Sequence, residues 1–138
     1  PDFWTSVQGI FPAEYLVKEG GTVAIFSPCP EGIAKSHPQI EQFGYRSLRE
    51  IKEMVSKGII TDLAAAGHMA AVSRVVIEKN IECIVVTDRS NKESFESTGL
   101  KWMEKPQEAV DYILSKHRNA RGYVFPVTSI TDTVVIPW

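Results

Sequence analysis

The sequence is poor in the residues that most often announce chemistry. Among 138 residues there are 3 histidines and 2 cysteines, and none stands in a CxxC or HxxxH spacing. No metal site built from neighbouring ligands is therefore encoded. No apolar run is followed by GxGxxG or GxxxxGK[ST], so a glycine-rich phosphate cradle is not expected. No serine stands in a GxSxG elbow, and Ser27, Ser90 and Ser129 define no triad by spacing. No run approaches the roughly 18 apolar residues of a membrane span. A basic segment leading into an apolar one, the mark of a signal peptide, is also missing. The charge is close to balanced, 15 basic against 17 acidic residues. The basic residues are scattered rather than striped, which argues against nucleic acid as a partner.

What remains is a globular composition. Hydrophobic residues make up 43% of the chain, enough to build a core without a metal or disulfide. One domain, residues 1–138, is expected. Cys29 and Cys83 lie at or within apolar runs. They read as free thiols of a reducing, cytoplasmic compartment, with a disulfide as the alternative. The opening Pro1-Asp2-Phe3-Trp4 enters aromatic, helix-spaced sequence at once. The expectation is an excised fragment or proteolytic product with a further domain upstream.

The periodicity predicts alternating helices and strands. Trp4, Val7, Ile10 and Phe11 form an apolar stripe on a helix that Gly9 and Pro12 divide, ending at Gly20-Gly21. Residues 22–27 are continuously apolar at their centre, as a strand covered on both faces would be. Pro28-Cys29-Pro30-Glu31-Gly32 shapes a rigid loop after it. Ser47 and Glu50 form a capping box for a helix whose inward stripe is Leu48, Ile51, Met54 and Val55. Thr61 or Asp62 caps another helix to about Lys79, rich in alanine and glycine around His68. Residues 82–87 form a second buried strand, with Asp88 just past its end. A short helix capped by Ser90 or Asn91 and a third strand at 100–103 follow. A helix then opens at Lys105-Pro106, with Ala109, Val110, Ile113 and Leu114 inward. Further strands are expected at 122–127 and 133–136, giving four or five in all. The order predicts an α/β, three-layer sandwich with a mainly parallel sheet, Rossmann-like in shape but without the dinucleotide motif.

Few residues stand out as site candidates. His68, a polar ring among small side chains, is the best single one, facing a cleft or satisfied at an interface. His37 lies before Pro38 in the segment after the first strand. His117 is a cation at a helix C-terminus. Glu31, Gly32 and Asp88 lie at the C-terminal ends of strands, where open α/β sheets bind ligands. No catalytic or metal-ligating residue emerges.

Two blocks carry a resemblance. "DFWTSVQGIFPAEYLVKEGGTVAIFSPCPEGIAKSHP" and "GIITDLAAAGHMAAVSRVVIEKNIECIVVTD" resemble the C-terminal domain of the nickel-dependent lactate racemase family. The resemblance implies a domain that closes the cleft of a racemase or epimerase acting on a 2-hydroxy acid or related hydroxy compound. The implied cofactor is a nickel pincer nucleotide that accepts and returns a hydride. It is held by an N-terminal domain that also supplies the catalytic histidines, so this stretch is expected to carry no cofactor. A Tyr-Gln-x-x-Lys motif of the racemase falls on Trp4, Thr5 and Gln8, which are thereby cleft-lining candidates with His68. Gln8 can only hydrogen-bond a carboxylate that a lysine would pair with, leaving hydroxy acids and polyols both open as substrates. A family tryptophan falls near Gly67 or His68. The alternative expectation is a non-catalytic small-molecule binding or interaction module.

Overall fold

A computed structural model describes residues 2–118 and 121–124. Three strands, β1 (Thr22–Phe26), β2 (Glu82–Val86) and β3 (Lys101–Met103), form a parallel sheet in the order β1-β2-β3. Thr22 pairs with Glu82, and Ile84 with Lys101, in register. β2 is central, and its alternate side chains feed two cores. Cys83 and Val85 face the larger one, with Ile25, Phe3, Ile10, Met69 and Phe95. Ile84 and Val86 face the smaller one, closed by Ala109, Tyr112 and Ile113. Helix α7 (Pro106–Lys116) covers that second face, while α3 (Gln39–Phe43), α4 (Leu48–Ser56) and α5 (Leu63–Ser73) lie on the first. The three layers and the parallel sheet follow the expected α/β sandwich.

Several elements start and stop as their residues require. Ser47 and Glu50 complete the capping box of α4, with Ser47 N–H donating to Glu50 Oε2 at 3.0 Å. Asp62 Oδ1 accepts from the amides of Ala64 and Ala65, both at 3.0 Å, and so starts α5. That helix runs on through a π turn, Arg74–Glu78. The divided N-terminal helix is α1 (Phe3–Ser6), a 3-10 turn (Val7–Gly9) and α2 (Ala13–Leu16) entered through Pro12.

β1 packs on both faces, with Val23 and Ile25 toward the larger core and Ala24 toward the smaller, though Phe26 at its C-terminal end is 52% exposed. Four expectations are corrected. Leu48 sits on the solvent side of α4, so Ile51 carries the burial. On α7, Val110 and Leu114 are exposed while Ala109, Tyr112 and Ile113 pack inward, since the three described strands cover only a narrow stripe of the helix. Asn91 stands at the start of α6 (Lys92–Ser97) but does not cap it. Its amide instead donates to the Cys29 carbonyl at 2.9 Å and to Thr87 Oγ1 at 3.1 Å, pinning the loop after β1. Residues Gly122–Val124 form no strand, and the rest of the segments expected as fourth and fifth strands lie outside the described residues. Cys29 and Cys83 are buried and free. No helix of the described residues is long and apolar enough to cross a membrane.

The second face is clamped by one carboxylate. Glu82 accepts from Tyr112 Oη and Lys116 Nζ, both at 2.9 Å, with Lys101 Nζ at 3.5 Å. Burial pushes its carboxyl up, but the bonds from Lys116 and Tyr112 and the two lysine charges outweigh this and hold it below the usual range. His117 ends α7 and its Nε2 lies 2.8 Å from Thr22 Oγ1.

Two glycines should respond oppositely to alanine. Gly44 has φ +66° and ψ −175°, a region open essentially to glycine alone, and a Cβ there would meet the Thr98 backbone at 3.2 Å. Gly44→Ala should lose about 2–3 kcal/mol of stability. Gly67 is helical, and a Cβ there would meet nothing within 4 Å, so Gly67→Ala should gain about 0.5–1 kcal/mol. Urea unfolding of both variants checks this; equal effects would show that local backbone geometry does not decide either site.

Candidate functional site

Helix α1 has four residues and cannot stand on its own propensity. It is held by Phe3, fully buried and edge-on to Phe95 with ring centroids 4.9 Å apart. Burying such a ring is worth about 2–3 kcal/mol, more than either of the backbone bonds beside it. Those bonds fix the rotation of the helix: Phe3 N–H donates to Gly32 C=O at 3.0 Å and Trp4 N–H to Ile33 C=O at 2.9 Å. Asp2 caps the turn through Thr5 N–H at 3.3 Å. The loop after β1 thus sets Trp4, partly buried at the edge of the larger core, toward α5.

There Trp4 meets both candidate histidines. Its ring stacks on His37 at 4.0 Å and on His68 at 4.8 Å, with planes 21° and 12° apart. His37 Nδ1 lies 2.7 Å from Asp62 Oδ2. A carboxylate only accepts, so Nδ1 carries the hydrogen. The Ala65 amide, then the His37 ring, hold the Asp62 carboxyl below its usual range. His68 is buried, and its Nε2 lies 3.0 Å from Tyr45 Oη. Burial, reinforced by the nearby Cys83, pushes the Tyr45 phenol well above its ordinary value, so it keeps its proton and donates. Burial first, then the neighbouring His37 charge, lowers His68 to about 4, against a weaker opposing pull from Asp2. At neutral pH His68 is therefore uncharged, accepts at Nε2 and carries its hydrogen on Nδ1.

Trp4 and His68 border an open groove of about 420 Å³ between the N-terminal helix and α5. One wall is Trp4, Val7, Gln8 and Phe11; the other is Leu63, Ala64, Gly67, His68 and Ala71. Leu63 is 69% exposed, an apolar side chain left facing outward beside the groove. Of the residues expected to line a cleft, Trp4, Gln8 and His68 come together here. Thr5 does not border it; its hydroxyl turns to Asp2 Oδ1 at 3.4 Å. Glu31 and Gly32 line a second depression of about 380 Å³ at the C-terminal end of the sheet, with Lys35, Glu41 and Asn91. Asp88 is exposed and borders neither. Its backbone carbonyl accepts from Asn91 N–H at 3.0 Å.

Two members of the site escaped the sequence. Tyr45 follows a turn glycine and carries no periodic signal, and Asp62 read only as a helix cap. Among the described residues, no group of histidine, cysteine, aspartate or glutamate could hold a metal ion.

The fold has a solved counterpart. The chain matches part of the lactate racemase apoprotein from Thermoanaerobacterium thermosaccharolyticum, with a TM-score of 0.66 and 21% sequence identity. The match covers 86% of this chain and 28% of that one. At this identity the likeness is one of fold. No family model matches the chain, and no curated protein does.

The neutral His68 makes a measurable prediction. Its value is 6.5 when unperturbed and about 4 in the fold, so between these the unfolded chain binds more protons. The stability linked to it is fully present above about pH 6.5 and is lost as the pH falls toward 4, on the order of 3 kcal/mol in all. His68→Gln keeps an acceptor for Tyr45 but cannot titrate. Urea unfolding from pH 7 to pH 4 should fall less steeply in His68→Gln than in the unsubstituted chain; identical slopes would refute the buried neutral imidazole.

Proposed function

We propose that this chain is the cleft-closing domain of a two-domain, lactate-racemase-like isomerase, and that its groove faces the complementary N-terminal domain of the same protein. In this reading the whole protein racemises or epimerises a 2-hydroxy acid or related hydroxy compound. The observation that carries it is the groove, where Trp4, Gln8 and His68 border one open surface, and the fold likeness to part of a lactate racemase apoprotein supports the reading. That surface is apolar at its rim and unfinished, as half of an interdomain site would be.

A nickel pincer cofactor does not fit the described residues, which offer no ligand cluster. In this reading hydride chemistry belongs to the complementary domain. The part played by this chain is binding. Phe11 and Leu63 exclude water when the cleft closes, Trp4 walls the site, and Gln8 and His68 orient the ligand by hydrogen bonds. A small-molecule binding module without catalysis is the second reading. It is favoured by His68, whose Nε2 is spent on Tyr45 and whose ring stays neutral, leaving no free acid or base among the groove residues.

The test uses the whole protein. Purified with its complementary domain, it should interconvert the stereoisomers of a 2-hydroxy acid or polyol, in proportion to bound nickel. Gln8→Ala and Trp4→Ala should each lower kcat/KM by about 10- to 100-fold, with unchanged unfolding midpoints for Gln8→Ala. Turnover unaffected by either substitution would remove the groove from the active site. Stoichiometric ligand binding without turnover, in protein with or without nickel, would favour the binding module.

A further inference from the structure

The groove contains nothing to receive a negative charge. None of its nine lining residues is lysine, arginine, aspartate or glutamate, and its one titratable side chain, His68, is neutral. Backbone amides at helix starts are the other usual anion site, and here most of them are already used. On α1, Phe3 and Trp4 donate to the carbonyls of Gly32 and Ile33, and Thr5 to Asp2. On α5, Ala64 and Ala65 donate to Asp62 Oδ1 and Ala66 to the Asp62 carbonyl. Arg74, at the other end of α5, is committed to Glu14 at 2.6 and 3.1 Å. Asp2 adds negative charge at the start of the α1 wall, and Asp62 at the start of α5 is already paired with His37 at 2.7 Å. An entering carboxylate would shed water and meet like charge with no partner.

What the groove does offer is neutral. The Trp4 indole N–H and the Gln8 amide have no partner among the described residues, and His68 retains Nδ1–H. Two ring donors and an amide that both donates and accepts can each engage a hydroxyl. Gly67 leaves open space on the opposite wall, since a Cβ there would meet nothing within 4 Å.

We propose that the ligand group seated against this groove is uncharged and hydroxyl-bearing, of polyol type, rather than a carboxylate. The inference rests on the reading of the groove as the ligand-facing half of a cleft. It narrows the substrate class left open there, because any carboxylate would have to be held by the complementary domain.

Sorbitol and gluconate form a matched pair that differs only at one terminal carbon. Each is titrated into the 15N-labelled chain at pH 7, following the Trp4 indole, assigned with Trp4→Phe, and the Gln8 side-chain amide. Sorbitol should shift both signals, with gluconate at least about fivefold weaker. Gln8→Lys should move the ratio toward gluconate by about tenfold, since a charge-assisted bond replaces a neutral one. Gluconate binding as well as or better than sorbitol to the unsubstituted chain would overturn the neutral-ligand inference while leaving the groove reading intact. Shifts from neither compound, or shifts confined to other residues, would overturn both.

Discussion

The carboxylate of Asp62 is the joint on which the site depends. One oxygen starts α5 by accepting two amides, and the other holds the His37 ring 2.7 Å away. Gln39 fixes the approach, its Oε1 accepting from the amides of Thr61 and Asp62 at 3.0 and 2.9 Å. The bond to Asp62 sets both the tautomer and the plane of His37, and that plane is the one on which Trp4 stacks. Helix start, ring orientation and groove wall are thus coupled through a single side chain. Removing its charge would release all three together rather than one hydrogen bond.

α5 shows two faces with different purposes. Ala65, Met69, Val72 and the π turn's Val75 are buried and carry the packing. The other face, Ala64, Gly67 and Ala71, stays short beside an open groove. A mid-helix glycine weakens the helix by roughly 1 kcal/mol relative to alanine, and nothing nearby forbids the alanine. Packing therefore does not account for Gly67, whereas room for a ligand or a partner surface does. The exposed Leu63 points the same way, being apolar surface left uncovered at the edge of that room.

How far the sequence alone reaches follows from the range of each interaction. β2 was readable because Cys-Ile-Val-Val is buried on both faces and so does not alternate. The α4 capping box was readable because its partners are three residues apart. The exposure of Leu48 and Leu114 was not, since helical spacing shows that a stripe exists but not how wide a sheet it meets. His68 was recognisable as a polar ring among small residues, and it proves both groove-lining and satisfied at an interface. Its partner Tyr45 is 23 residues away and local pattern cannot supply that pairing. Thr5, adjacent to Trp4 in sequence, turned elsewhere because Asp2 caps α1 through it.

The electrostatics then limit what this domain can contribute. A general acid or base works best with a value near the operating pH, and His68 at about 4 lies too low for proton transfer at neutrality. The same burial that removes it from acid–base work makes it a fixed neutral donor, oriented by Tyr45 and flanked by Trp4. Preorganised neutral donors cost no reorganisation when a ligand arrives, and they discriminate by shape and hydrogen bonding rather than by charge. On the proposed reading, this surface selects and holds a ligand group. Any charge or proton that must move during a reaction has to come from groups placed opposite it.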